Sequence, residues 1–343
     1  MERKMATVRR IEDIQPIPGA DLIEAVKIGG WTVVAQKSMQ YKTNDFVIYC
    51  EIDSFIPTEI APFLTQAGHL PKEYNGIKGE RLRTKKMKGV ISQGLLLPLD
   101  TLSKFPSEQW FNVESFENQD VSELLGIIKW EPKPEFQSAD AKGLFPSFIP
   151  KTDQERVQNL MSDYQKWYDE KSAWEVTEKL DGSSMTVFCK DSEIGVCSRN
   201  LELKEDLNNT FWKTAYSSGA VEALKKLGRN IVIQGELVGP GIQGNKYNLS
   251  DYRYYVYDVF DIDKQEYFLV ADRRQLVKQL DLLHVPVYYD AILQEEDIQE
   301  VLLSAEGKSD LCATTEREGK VYKNTQTHES FKAISNRWLM KFE

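Results

Sequence analysis

The chain has 343 residues, 41% hydrophobic, 11% aromatic and 28% charged, with a net charge of −10. That length fits two folded domains with real cores, and the acidic balance excludes indiscriminate coating of nucleic acid. No apolar run approaches the ~18–20 residues that span a bilayer, and Met1-Glu2-Arg3-Lys4 lacks the apolar core of a signal peptide. Cys50, Cys189, Cys197 and Cys312 show no CxxC spacing, and the histidines are His69, His284 and His328. This set argues against a zinc site and for free thiols in a reducing compartment, expected to be cytoplasmic or otherwise intracellular.

The first part reads as β. Short β-prone runs at 26–28, 31–35 and 46–50 are cut by Gly29-Gly30 and by Lys42-Thr43-Asn44-Asp45, after a turn marked by Pro16, Pro18 and Gly19. Several short strands separated by turns predict a small barrel or sandwich over 1–130. Residues 78–88 and 92–99 form a further candidate hairpin joined at Gly89. Within it Lys78, Arg81, Arg83, Lys85, Lys86 and Lys88 make a basic run opposed only by Glu80. A local basic strip on an acidic protein suits selective contact with phosphates.

Proline punctuation without periodicity marks 131–150 as a connection. The second domain is expected over 151–343. Val157, Leu160, Met161, Tyr164, Trp167 and Tyr168 share one helical face. Strands are predicted at 174–178, 185–190, 194–199, 231–236 and 254–260, with helices at 220–227, 271–283 and 295–305. This order predicts an α+β domain with antiparallel sheets.

The most informative stretch is Lys179-Leu180-Asp181-Gly182. It puts a lysine at the end of a strand and a glycine turn before the next, so the amine can reach a phosphate. An ammonium is not a nucleophile, so nearby cations or desolvation have to lower its pKa before it attacks. By itself so short a motif better describes a solvated hairpin lysine. Glu236 ends a β-branched strand beside Gly235, where a carboxylate can meet ribose hydroxyls or metal-bound water. The nearby Gly239-Pro240-Gly241-Ile242-Gln243-Gly244 satisfies GxGxxG, but turn formers and then a strand follow it instead of a helix, so it reads as a loop. Strand 254–260 is aromatic, and Tyr257 is the ring assigned to base stacking, worth ~1–3 kcal/mol. In Glu318-Gly319-Lys320-Val321-Tyr322-Lys323, alternation puts Lys323 with Val321 and opposite Lys320 and Tyr322. Lys332 follows within Ser330-Phe331-Lys332-Ala333-Ile334-Ser335, a strand lysine able to neutralise an α-phosphate.

Taken in this order, the segments resemble the motifs of covalent nucleotidyltransferases, the superfamily of ATP-dependent DNA and RNA ligases and mRNA capping enzymes. Lys179–Gly182 resembles motif I, Ser198-Arg199 motif Ia, Gly235-Glu236-Leu237 motif III, residues 254–259 motif IIIa, Glu318-Gly319-Lys320-Val321 motif IV, and Lys332 the lysine of motif V. Residues 145–160, 177–184 and 330–336 with the basic stretch 81–94 are similar to the RNA ligase 5 family. That resemblance implies an N-terminal OB-fold β-barrel followed by a nucleotidyltransferase domain. DNA ligases and capping enzymes carry an OB domain after motif V. With eleven residues after Lys332, this chain is expected to lack one.

The resemblance further implies an ATP-dependent RNA ligase that seals 3′-OH/5′-phosphate breaks through lysyl-AMP on Lys179 and an adenylylated 5′ end. Mg²⁺ or Mn²⁺ would be held by Asp181 and Glu318 through waters. Glu236 and Arg199 would hold the ribose and the nucleotide end, Tyr257 the adenine, Lys323 and Lys332 the phosphates, and Glu178 the adenine amino group. Arg81, Arg83, Lys85, Lys86 and Lys88 would grip a nicked duplex of RNA or an RNA/DNA hybrid. Neither a membrane nor an obligate protein partner is implied. A DNA ligase, a capping-type guanylyltransferase and an inactive OB-type RNA-binding protein are the alternatives.

Overall fold

The computed structural model describes residues 3–104, 117–131 and 140–342. The chain divides into two compact units, Met1–Lys133 with Leu339–Glu343, and Pro134–Trp338. No helix among the described residues is long and apolar enough to cross a membrane.

The first unit is built from short antiparallel strands. Phe46–Cys50 is central in one sheet, flanked by Ala6–Arg10 and Leu95–Pro98. Asp13–Pro16, Ile23–Ile28 and Trp31–Gln36 form a meander in which Ile28 pairs with Trp31, so Gly29-Gly30 is its two-residue turn. Val8, Ile48, Cys50, Ile56 and Leu97 share one core. The basic hairpin differs from its expected bounds. Lys85–Met87 pairs with Val90–Ser92, and Lys88-Gly89 makes the turn with φ of 49° and 88°, as a hairpin turn of this hand requires. Ile77–Arg81 pairs instead with Ser54–Pro57 and Lys72–Tyr74.

The second unit contains two sheets. The seven-stranded one runs in the order Ala141–Leu144, Leu201–Leu203, Glu193–Cys197, Ser183–Lys190, Ile231–Val238, Arg253–Asp261, Glu266–Tyr267. Helices Thr210–Ser217, Ala220–Leu227 and Val270–Gln279 cover one of its faces through Phe211, Trp212, Val221, Leu224 and Leu276. The five-stranded sheet runs Glu155–Arg156, Ser330–Ile334, Gly319–Asn324, Ala173–Lys179, Val287–Ile292. Its apolar face is aromatic. Phe331 stacks on Tyr322 at 4.5 Å and on Trp167 of helix Met161–Glu170 at 5.7 Å.

Within the expected connection over 131–150 lies a short strand, Ala141–Leu144. That strand pairs with Leu201–Leu203, because a short run with few side chains to bury can still satisfy its backbone on a sheet edge. Residues 132–139 of the expected connection lie outside the described residues. Leu180-Asp181-Gly182 joins the last residue of one sheet, Lys179, to the first strand residue of the other, Ser183. The lysine motif therefore sits where the chain crosses between the two sheets.

Candidate active site

The crossing is sterically fixed. A Cβ on Gly182 would lie 2.4 Å from the Leu237 carbonyl oxygen and 2.9 Å from Cγ of Glu236, so only glycine lets the turn approach that strand. The Gly182 N–H donates to Glu236 Oε1 at 3.0 Å, and the Asp181 N–H donates to the Tyr247 hydroxyl at 2.7 Å. Opposite Lys179 in register lies Gly319, where a Cβ would come within 2.1 Å of the Ala333 carbonyl oxygen. Both motif glycines thus permit close backbone approach, and both bring an acid toward Lys179.

Lys179 Nζ donates to Glu318 Oε1 at 2.7 Å. Burial pushes the lysine pKa down, but Glu318, Glu236 and Asp181 outweigh it, and the net direction is up. This corrects the expectation that the surroundings lower it: with no ligand bound, three carboxylates hold the amine as an ammonium. Glu236 is pushed up to about 8, first by burial and then by the charges of Glu318 and Asp181, against Lys179 and the Gly182 N–H. Glu318 Oε2 is buried and has no hydrogen-bond partner. A carboxylate cluster with an orphaned oxygen and an acid pushed toward neutrality is short of positive charge. These residues fit a divalent cation. Among the described residues no three His, Cys, Asp or Glu side chains form a direct cage, so such an ion would be held through its waters.

A second set of groups extends from Lys332, whose charge acts on Glu318. Lys332 Nζ meets Asp153 Oδ1 at 2.9 Å, and Arg199 reaches Asp153 Oδ2 at 3.3 Å. The Tyr257 hydroxyl lies 3.1 Å from Thr152 Oγ1 and 3.4 Å from Ser184 Oγ, and burial raises its pKa so that it stays neutral. Lys323 lies deeper. It pairs in register with Glu175, four positions before Lys179, and donates to Asp258 Oδ1 at 2.5 Å and to the Tyr257 carbonyl at 2.8 Å. Burial lowers its pKa against the pull of Asp258. A cavity of about 180 Å³ opens beside this row, lined by Thr152, Asp153, Asp258, Arg273, Lys323 and Ser330 among others. Alternation turns Glu178 away from Lys179. It accepts from the Tyr288 hydroxyl at 3.0 Å and the Asp310 N–H at 2.9 Å, and burial raises its pKa.

In the first unit Arg81 differs from the other members of the basic run. Its guanidinium is 2.6 Å from Asp53 Oδ1 and lies over the Trp130 ring at 3.8 Å. Arg83, Lys85, Lys86 and Lys88 are exposed.

A family model of RNA ligases matches residues 172–338, and a model of an OB-fold domain matches residues 5–99. Three solved forms of Naegleria gruberi RNA ligase are each 42% identical to this chain. An apo mutant has a TM-score of 0.90 and covers 99% of both chains. A mutant with ATP and Mn has a TM-score of 0.89 and covers 98% of this chain and 99% of its own. A form with PPi has a TM-score of 0.88 and covers 99% of both. The chain belongs to the RNA ligase family. No curated protein matches it. As in the expected α+β arrangement, this RNA ligase has an N-terminal OB-fold domain and a nucleotidyltransferase domain.

Residues that sequence reading passed over also meet the motif residues. Asp153 bridges Lys332 and Arg199 from a proline-flanked stretch with no periodicity. Lys246 and Tyr247 both bind Asp181 from the loop after the GxGxxG glycines. The only signal in sequence was a charged residue in an otherwise turn-forming loop, which alone points to solvent.

Proposed function

We propose that this RNA ligase uses ATP to join a 3′-hydroxyl to a 5′-phosphate at nicks in duplexes with RNA on the 3′-OH side. The observation that carries the reading is the Lys179 amine, 2.7 Å from Glu318 and surrounded by Glu236 and Asp181 at the crossing between two sheets. The Naegleria gruberi enzyme has been solved with ATP and Mn, with AMP and Mn, and with PPi, which supports ATP as the donor and pyrophosphate as a product.

In the first step Glu318, hydrogen-bonded to the amine, takes its proton. The nitrogen lone pair then forms a bond to the ATP α-phosphorus, the bond to the bridging oxygen breaks and pyrophosphate leaves, and the nitrogen loses its second proton to water to give the phosphoramidate. In the second step an oxygen of the 5′-phosphate attacks the same phosphorus and the Lys179 N–P bond breaks, leaving an adenylylated end. In the third the 3′-oxygen attacks the 5′-phosphorus, its proton is lost, and AMP departs. Such transfers depend on in-line positioning and charge neutralisation more than on covalent help. Mg²⁺ or Mn²⁺, held through waters by Asp181 and Glu318, would supply neutralisation at the α-phosphate.

Glu236 and Arg199 hold the ribose and the nucleotide end, Tyr257 covers the adenine, and Lys332 contacts the phosphate. Lys323 contacts the phosphates with Lys332, and its bonds to Asp258 and the Tyr257 carbonyl also tie it to the stacking strand. Glu178 is assigned to the adenine amino group, held by Tyr288 and the Asp310 N–H. On the OB domain Arg81, Arg83, Lys85, Lys86 and Lys88 grip the duplex beside the break, with Arg81 held on Asp53 and Trp130.

Labelled ATP is expected to leave a covalent AMP adduct on the wild type and none on Lys179→Ala. Nicks with RNA at the 3′ side should be sealed faster than all-DNA nicks. A GTP-only adduct, or no adduct, overturns the reading.

A further inference from the structure

We propose that Lys246 is a positioning residue for the metal-dependent first step. It acts as a resident cation that neutralises Asp181 and competes with the divalent ion for that carboxylate. The inference rests on the ligase reading above and deepens it.

Lys246 lies between strands Ile231–Val238 and Arg253–Asp261, and its ammonium pairs with Asp181 Oδ2. The two side chains are only 17% and 12% exposed, so the contact is largely removed from water and is not a screened surface pair. Its backbone is anchored as well. The Thr315 hydroxyl donates to the Lys246 carbonyl at 2.6 Å, and the ammonium lies 5.2 Å from the Trp338 ring. Tyr247, the next residue, takes the Asp181 N–H. One dipeptide therefore grips both the backbone and the carboxylate of the residue that follows Lys179-Leu180.

The charges give the consequence. Asp181, Glu236 and Glu318 all act on Lys179. With Lys246 in place the Asp181 carboxylate already has one cationic partner, while Glu318 keeps an oxygen without a hydrogen bond. An oxygen committed to an ammonium is not equally available to the water shell of a cation. Entry of the ion therefore requires Asp181 to exchange partners, and Lys246 sets the concentration at which that happens. A purely structural lysine would make removal weaken ion binding, whereas a competing one makes removal tighten it.

The test is Mn²⁺ binding to the full, nucleotide-free chain, measured by electron paramagnetic resonance of the free ion. Lys246→Gln should bind Mn²⁺ about fivefold more tightly than wild type, the scale of one modest ion pair. Lys246→Arg should restore the wild-type value, and adding Asp181→Asn should erase the gain. If Lys246→Gln melts early, Lys246→Met, which keeps the apolar stem beside Trp338, carries the same comparison. Equal affinities in wild type and variant, including no binding by either, or weaker binding by the variant, overturn the proposal. Adduct formation from labelled ATP is scored separately on wild type. Absence of an adduct sinks the ligase reading, whereas an adduct with unimproved Mn²⁺ affinity sinks this inference alone.

Discussion

Lys179 and Glu236 show how a site can hold its nucleophile and its acids in mutually opposed states. The ligand-free lysine is kept charged by carboxylates that burial would otherwise neutralise. Glu236 makes the tension measurable. Its folded pKa of about 8 stands above the ordinary 4.5, so the folded chain keeps a proton that the unfolded chain has lost. A raised folded pKa contributes stability that is complete below the unfolded value and is lost as pH climbs through the folded one. The ligand-free protein therefore loses stability through Glu236 between about pH 4.5 and pH 8. Glu236→Gln is expected to remove that loss, adding about 1–2 kcal/mol at the alkaline end, or about 2–4 °C in melting temperature. Thermal melts at both ends of the window check it, and an equal effect of the substitution at both would refute the assignment. The same substitution should impair adduct formation, since an amide offers the ribose and the metal waters no charge.

At the scale of elements, strand alternation can hold a site residue on one face by burying its neighbour on the other, as Lys332 beside Phe331 shows. Phe331 is fully buried, with Tyr322, Trp167, Trp174 and Tyr164 around it, and Lys332 is its neighbour on the opposite face. Phe331→Ala should destabilise the protein by about 3–5 kcal/mol and displace Lys332, so chemical denaturation and adduct formation should both report it. Retention of wild-type stability would mean that the stack does not set the position of the strand. Most of these strands were legible in sequence because their alternation is strong: 231–236 was expected and Ile231–Val238 is observed, and helix Ala220–Leu227 has its expected bounds. Helix Thr210–Ser217 was missed, although Asn209 caps it by accepting from the N–H groups of Phe211 and Trp212.

For the whole molecule, the proposed grip on phosphates rests on a basic hairpin carried by a chain of net charge −10. Reversing Arg83 and Lys86 to glutamate is expected to weaken nick binding about tenfold at low salt, with the difference shrinking as salt rises. Unchanged affinity at low salt would remove the strip from the interface. The sequence by itself determined the order of the motifs, the β character of the first domain and the alternation that sets Lys323 against Lys320. All of these depend on residue type and on neighbours within a few positions. Tertiary structure alone decided which charges meet. It brought Lys246 and Tyr247 to Asp181 across 65 and 66 positions, and Asp153 to Lys332 across 179. It also set Arg81 over the Trp130 ring and beside Asp53. The reason is physical: periodicity fixes which face of an element a side chain occupies, but the partner it finds there depends on how sheets and loops pack, which no local pattern encodes.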